Sequence, residues 1–185
     1  MEKTERMERM EPFRLEVVSV RLVKEAPLFS GRKIKRPEDA AALVGDVLCE
    51  MDREIFCVIN LKTDGTPINC QMASVGALNY AVAEPRELFK SAILSNADSM
   101  LLVHNHPSGA LVPSKEDTAV TDRLLQLSSL LGIRLLDHVI VGGDNSRCFS
   151  FKEKGLLDFP EIRLSQNYWE LDFERPQVAE RGRGR

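Results

Sequence analysis

Two histidines one residue apart, His104-Asn105-His106, followed along the chain by Asp117, are the side chains here whose types and spacing best suit a metal ion. Residues at i and i+2 of an extended segment project to the same side, so both imidazoles can reach one ion. Asp117 falls in the first turn of an expected helix whose start would lie beside the same loop. Two nitrogens and one carboxylate oxygen are three ligands for Zn²⁺, and the fourth tetrahedral position they leave open is the mark of a catalytic rather than a structural zinc. Water in that position becomes a hydroxide-like nucleophile near neutral pH. The same residues also have a plain structural reading. Paired loop histidines are commonly just solvated. Ser114 and Asp117 also complete an S-x-x-D capping box, and an acid in a first turn is favoured by the helix dipole alone. Placement favours the metal: a strand end, a glycine-bearing loop and a helix start meet at one spot.

The elements that must position these residues follow from hydrophobic period and turn chemistry. Residues 13–25, FRLEVVSVRLVKE, are β-branched and nearly alternating, which predicts a strand. Pro37 opens a helix to about Met51, with Ala40, Leu43, Val44, Val47 and Leu48 at helical spacing. Ile55–Leu61 predicts a strand, and Asp64-Gly65 turns it into a second strand at Ile68–Ala73. Pro85 starts a helix that sets Leu88, Phe89, Ala92 and Ile93 on one face. Ser99–Val103 is wholly apolar, as expected of a central strand, and HNHPSGALVPS after it reads as a loop in which Gly109 turns the chain sharply. Ser114 is the N-cap of a helix that ends before Gly132. Ile133–Val141 is another buried strand, and Arg147–Phe151 closes a second hairpin through Gly142-Gly143-Asp144-Asn145. The order β-α-β-β-α-β-α-β-β predicts an α/β fold, a mixed β-sheet sandwiched by helices. Residues 1–12 are expected to be a charged arm, 13–160 the domain, and 161–185 an extension whose end has too little apolar content to pack.

A net charge of −3 and a pI near 5.7 give no overall basic character of the kind that advertises nucleic-acid binding. The Arg32, Lys33, Lys35, Arg36 cluster and the terminal arginines keep such contact open. The apolar runs are too short to cross a bilayer, and the N-terminus has no apolar stretch of the kind a signal peptide needs. Cys49, Cys57, Cys70 and Cys148 lack any paired spacing, so free thiols in a reducing, cytoplasmic setting are expected.

The stretch HNHPSGALVPSKED (104–117) resembles the JAMM (MPN+) metalloprotease signature, H-x-H followed by S-x-x-D, and more closely its bacterial RadC-like branch, described as DNA-repair proteins. The likeness extends to DREIFCVINLKTDG (52–65), SVGALN (74–79), EPRELFKSAI (84–93) and LGIRLLDHVIVG (131–142), and so covers roughly residues 15–155. It implies the three-layer JAB/MPN architecture, related to that of cytidine deaminases. It also implies that His104, His106 and Asp117 hold one zinc ion, that Ser114 steadies the attacking water or the developing oxyanion, and that a glutamate on the preceding hairpin is the general acid/base. Glu54 matches that glutamate, and Glu50, on the expected helix, is its nearest competitor. His138, inside an apolar strand, is expected to be a core histidine or a support for a ligand rather than a fourth ligand.

The sequence departs from that branch in two places. Only about a dozen residues, most of them charged, precede the first expected strand, without room for the helix-hairpin-helix region associated there with DNA binding, so the domain is expected to stand alone. Glu84 occupies a position where the branch commonly has histidine before Pro-Arg-Glu. The expected function is zinc-dependent, water-mediated cleavage of a peptide or isopeptide bond, with a protein or peptide substrate and a link to DNA repair or recombination. The alternative is a DNA- or protein-binding module with a non-catalytic metal site. A homodimer stays open, and no membrane partner is expected.

Overall fold

A computed structural model of the chain describes residues 19, 21–25, 28, 30–75 and 84–157. Helix α1 (Pro37–Cys49) begins where Pro37 supplies a preset φ. The Asp39 carboxylate there accepts the backbone N–H of Lys35 and Arg36, at 3.0 and 3.1 Å. Strands β1 (Ile55–Leu61) and β2 (Pro67–Val75) form the first hairpin, and Gly65, at φ 81°, takes the left-handed position its turn requires. Helix α2 (Pro85–Leu94), strand β3 (Ser99–His106), helix α3 (Lys115–Leu131), strand β4 (Arg134–Gly142) and strand β5 (Cys148–Ser150) complete the order. Gly132, at φ 68°, ends α3 as expected.

The five strands make one mixed sheet in the order β2-β1-β3-β4-β5. Only the β3–β4 pair is parallel, because α3 carries the chain from the end of one strand back to the start of the next. Strand parity then builds two cores. Phe56, Val58, Met100, Leu102 and Leu135 pack against Leu88, Phe89 and Ala92 of α2 and Val120, Leu124 and Leu125 of α3. On the opposite face Cys57, Ile59, Leu61, Leu101, Val103, Val139 and Val141 meet Ala40, Ala41, Val44 and Leu48 of α1. β1 and β3 are buried along their whole length, which explains their unbroken apolar runs from Ile55 to Ile59 and from Met100 to Val103.

Three expectations need correction. β3 runs three residues beyond Val103, so the histidine pair belongs to the strand and not to the loop. Parallel pairing with Val141 and Gly142 extends it there. On α2, Ile93 is 51% exposed and Ser91 is buried in its stead, because the buried stripe is centred on Leu88 and Ala92, which leaves Ile93 on its outer flank. Of the strand expected at 13–25, residues 21–25 are exposed and form no strand, with Val23 at 84%; residues 13–18 lie outside the described residues, as do the arm (1–12) and the extension (161–185).

Candidate metal centre

β3 presents His104 and His106 to the face shared with α2 and α3, on the same side as Met100 and Leu102. Both rings are sequestered, with His104 wholly buried. Their Nε2 atoms converge to 2.9 Å. The first turn of α3 brings Asp117 onto the same point, its Oδ1 3.2 Å from His104 Nε2 and its Oδ2 3.4 Å from His106 Nε2. From the other side comes Glu54. Phe56 of β1 lies opposite His104 of β3, and continuing this antiparallel register by two residues sets Glu54 against His106. The Glu54 Oε1 is 3.6 Å from His106 Nε2, on a side chain 37% exposed against 4% for Asp117. One donor atom each from Glu54, His104 and His106 lie within 4.8 Å of one another, so this group could hold a metal ion.

The surroundings fix these donors. His106 Nδ1 lies 2.7 Å from the Ala110 carbonyl; a carbonyl only accepts, so Nδ1 carries the ring proton and Nε2 presents a lone pair. Gly109, at φ 74°, makes the turn that returns Ala110 to the ring, and its N–H donates to the His106 carbonyl at 2.9 Å. Phe56 stacks on His104 with ring centroids 4.6 Å apart. Asn105, on the opposite face of β3, accepts from Ile55 N–H at 2.8 Å and donates to the Arg53 carbonyl at 3.0 Å, which clasps both neighbours of Glu54. Ser114 N–H and its hydroxyl both donate to Asp117 Oδ2 at 2.7 Å, and Asp117 N–H donates to Ser114 Oγ at 3.0 Å. The capping box therefore forms, and it aims the carboxylate at the histidines. The two readings of Ser114 and Asp117 coexist in one geometry.

The charges respond accordingly. The hydrogen bond to Asp117 raises the His106 pKa above its ordinary value, against the opposing pull of burial. Burial would raise Asp117, but the two imidazoles facing its oxygens outweigh it and hold the carboxylate far below its usual range. Burial pushes His138 well below the usual histidine value. His138 stands behind His104, its Nε2 2.7 Å from His104 Nδ1, on the far side of that ring from His106. Glu50 is the exposed C-cap of α1.

The model of one protein family, described as the RadC-like JAB domain, matches residues 34–156. The chain belongs to that family. Its RadC-like domain is also similar to curated relatives: 45% identical over 124 residues to the UPF0758 protein of Desulforamulus reducens, covering 67% of this chain and 54% of the relative. It is 41% identical over 126 residues to the UPF0758 protein of Methanosarcina acetivorans, covering 68% and 54%. The chain thus spans about half the length of the curated relatives it matches.

Two parts of this RadC-like centre escape a reading of the sequence motifs. Thr121 lies one helical turn after Asp117, and its hydroxyl touches both the Asp117 carbonyl and His138, each at 2.6 Å. Its i+4 spacing from Asp117 was the available signal. Asn105 could be read only as a loop-shaping residue, because its partners are about 50 positions away along the chain. In the basic cluster, Arg32 meets Asp39 at 3.1 Å, Lys33 meets Asp64 and Arg36 meets Glu38 at 3.5 Å, so a carboxylate stands beside each of these three cations. Among the described residues, no helix is long and apolar enough to cross a membrane.

Proposed function

We propose that this RadC-like domain is a zinc-dependent hydrolase of amide bonds, acting on a peptide or isopeptide. The observation that carries the reading is the convergence of two imidazole Nε2 atoms and one buried carboxylate within 3.4 Å, with Glu54 on the more open side. Two nitrogens and an oxygen suit zinc better than calcium or magnesium, which prefer all-oxygen sets. Asp117 rather than Glu54 is the third ligand, because it is buried, aimed by the capping box and close to both rings. His104, His106 and Asp117 would hold the zinc ion, which would supply Lewis acidity to the scissile carbonyl and lower the pKa of water toward neutrality.

The chain's own residues do the rest. Glu54, partly solvated and next to His106, takes the proton of the attacking water at its carboxylate and returns it to the departing amine. Asn105 holds the backbone on both sides of Glu54, so the carboxylate works from a rigid strand entrance. The Ser114 hydroxyl, whose proton goes to Asp117 Oδ2 at 2.7 Å, would turn that proton to the carbonyl oxygen as negative charge develops there. Involvement in DNA repair or recombination belongs to the same proposal, carried only by the family resemblance.

The test is metal analysis of the purified protein beside His104→Ala and Asp117→Ala, then hydrolysis of a peptide and isopeptide panel with Glu54→Gln as control. One zinc per chain, lost in both ligand variants, with cleavage that Glu54→Gln reduces by about 100-fold or more, is expected. Less than about half an equivalent of zinc in the wild type, unchanged in the variants, overturns the proposal.

A further inference from the structure

From the hydrogen-bond chain behind the metal centre, we infer that Thr121 and His138 are positioning residues that lock His104 in its Nδ1–H tautomer, leaving Nε2 a bare lone pair for the metal. The inference rests on the metal reading above and deepens it.

The direction of each hydrogen bond follows from one fixed acceptor. The Asp117 backbone carbonyl can only accept, and the Thr121 hydroxyl lies 2.6 Å from it, so the single hydroxyl proton points there. Thr121 Oγ1 then meets His138 Nδ1 at 2.6 Å as an acceptor, which requires a proton on that nitrogen. His138 is completely buried, with Phe151 stacked on it at 4.8 Å and 4°. Its neighbour Asp137 is turned to the Ser150 hydroxyl at 2.6 Å and the Lys152 N–H at 3.0 Å, so that carboxylate does not pair with the ring. A ring so placed is neutral, and with Nδ1 protonated its Nε2 is an acceptor. The only proton available across the 2.7 Å gap to His104 is therefore on His104 Nδ1. With its Nδ1 proton committed to His138, the nitrogen His104 can offer a metal is Nε2, which faces His106 Nε2 at 2.9 Å and Asp117 Oδ1 at 3.2 Å.

The chain starts and ends at Asp117: its backbone carbonyl anchors the relay and its carboxylate meets the ring that the relay orients. One residue of α3 thus sets both the ligand and the tautomer of its partner. Metal-binding histidines are usually oriented by a carboxylate or a backbone carbonyl; here a second histidine stands in between, lengthening the link across the β3–β4 pair. Reversing the chain, with Thr121 donating to His138, would put a proton on His104 Nε2 and block the site.

Two measurements test this on the whole chain. Long-range ¹H–¹⁵N spectra of the histidine rings report tautomers in metal-free wild type, and a chelating indicator reports zinc affinity of wild type, Thr121→Val, His138→Phe and His138→Gln. Expected are Nδ1–H tautomers for His104 and His138, an affinity loss of about 10–100-fold in His138→Phe and a smaller one in Thr121→Val. His138→Gln, whose side-chain oxygen can accept from His104, should recover most of the loss. An Nε2–H tautomer on His104, or folded Thr121→Val and His138→Gln proteins that both bind zinc as His138→Phe does, overturns the inference. So does zinc affinity within twofold of wild type in every variant. If His138→Phe does not fold, the wild-type spectra together with Thr121→Val decide. Wild type that takes up no zinc removes the proposed function, while its ring spectra still decide the relay.

Discussion

The helix cap that Asp117 completes and the metal ligation proposed for it can be separated by choosing which atom to remove. Ser114→Ala leaves the carboxylate but deletes the acceptor for Asp117 N–H and the hydroxyl donor to Oδ2. Losing an N-cap costs about 1 kcal/mol. The second bond, to a charged and largely buried partner, adds up to about 1 kcal/mol more, because Oδ2 keeps the Ser114 N–H at 2.7 Å. Metal-stripped Ser114→Ala should therefore unfold about 1–2 kcal/mol more easily, a fall of about 2–4 °C for each kcal/mol in a chain of this size. Asp117→Asn reverses the pattern. Its amide oxygen still accepts from Ser114 N–H, so the cap survives, but the negative charge and the ligand are gone. Its zinc affinity should drop beyond the roughly 100-fold that marks loss of a merely supporting contact. Denaturant titration of the metal-free proteins and competition with a chelating indicator read the two effects on the same samples. Asp117→Asn that binds zinc like wild type, while Ser114→Ala is destabilised, would refute the reasoning and reduce Asp117 to a helix cap.

Three further outcomes follow from the geometry. With the His106 pKa raised above 6.5, metal-free protein should have that stabilisation in full below about pH 6.5 and lose it as pH rises through the higher folded value. Zinc affinity should instead rise over the same window, because zinc needs the bare nitrogen, and His106→Gln should abolish the stability slope. Gly109→Ala puts a side chain at φ 74° and should cost about 1–2 kcal/mol, with weaker zinc binding because the Ala110 carbonyl shifts from His106; equal stability by thermal unfolding would count against this. Asn105→Ala leaves the buried Ile55 N–H without its partner, at a cost of about 1–3 kcal/mol, but should keep one zinc per chain; loss of the metal would show that the clasp acts on the histidines and not on Glu54.

Local rules were enough for most elements. Pro37, Pro85 and Ser114 mark helix starts, Gly132 marks a stop, and unbroken apolar runs mark β1 and β3, because each depends on a backbone preference or a burial period carried by neighbouring residues. The likeness carried by HNHPSGALVPSKED needed no coordinates either. Segment ends were less legible: β3 reached His106 only because β4 was there to pair with it, and Ile93 pointed outward because the buried stripe of α2 runs through Leu88, Ser91 and Ala92.

His104-x-His106 and Asp117 could be named from the sequence as one candidate set, because side-chain parity and the helix cap are local. Tertiary structure alone decided that Asp117 completes the capping box and meets the two histidines at once, since that depends on where the two oxygens of one carboxylate point. It alone set Glu54 against His106, through a strand register, and joined Thr121 to His138 to His104, through contacts between a helix and two strands. Hydrogen-bond polarity behind a ligand is a property of the packed interior, where each buried proton must find an acceptor, and no run of adjacent residues encodes it.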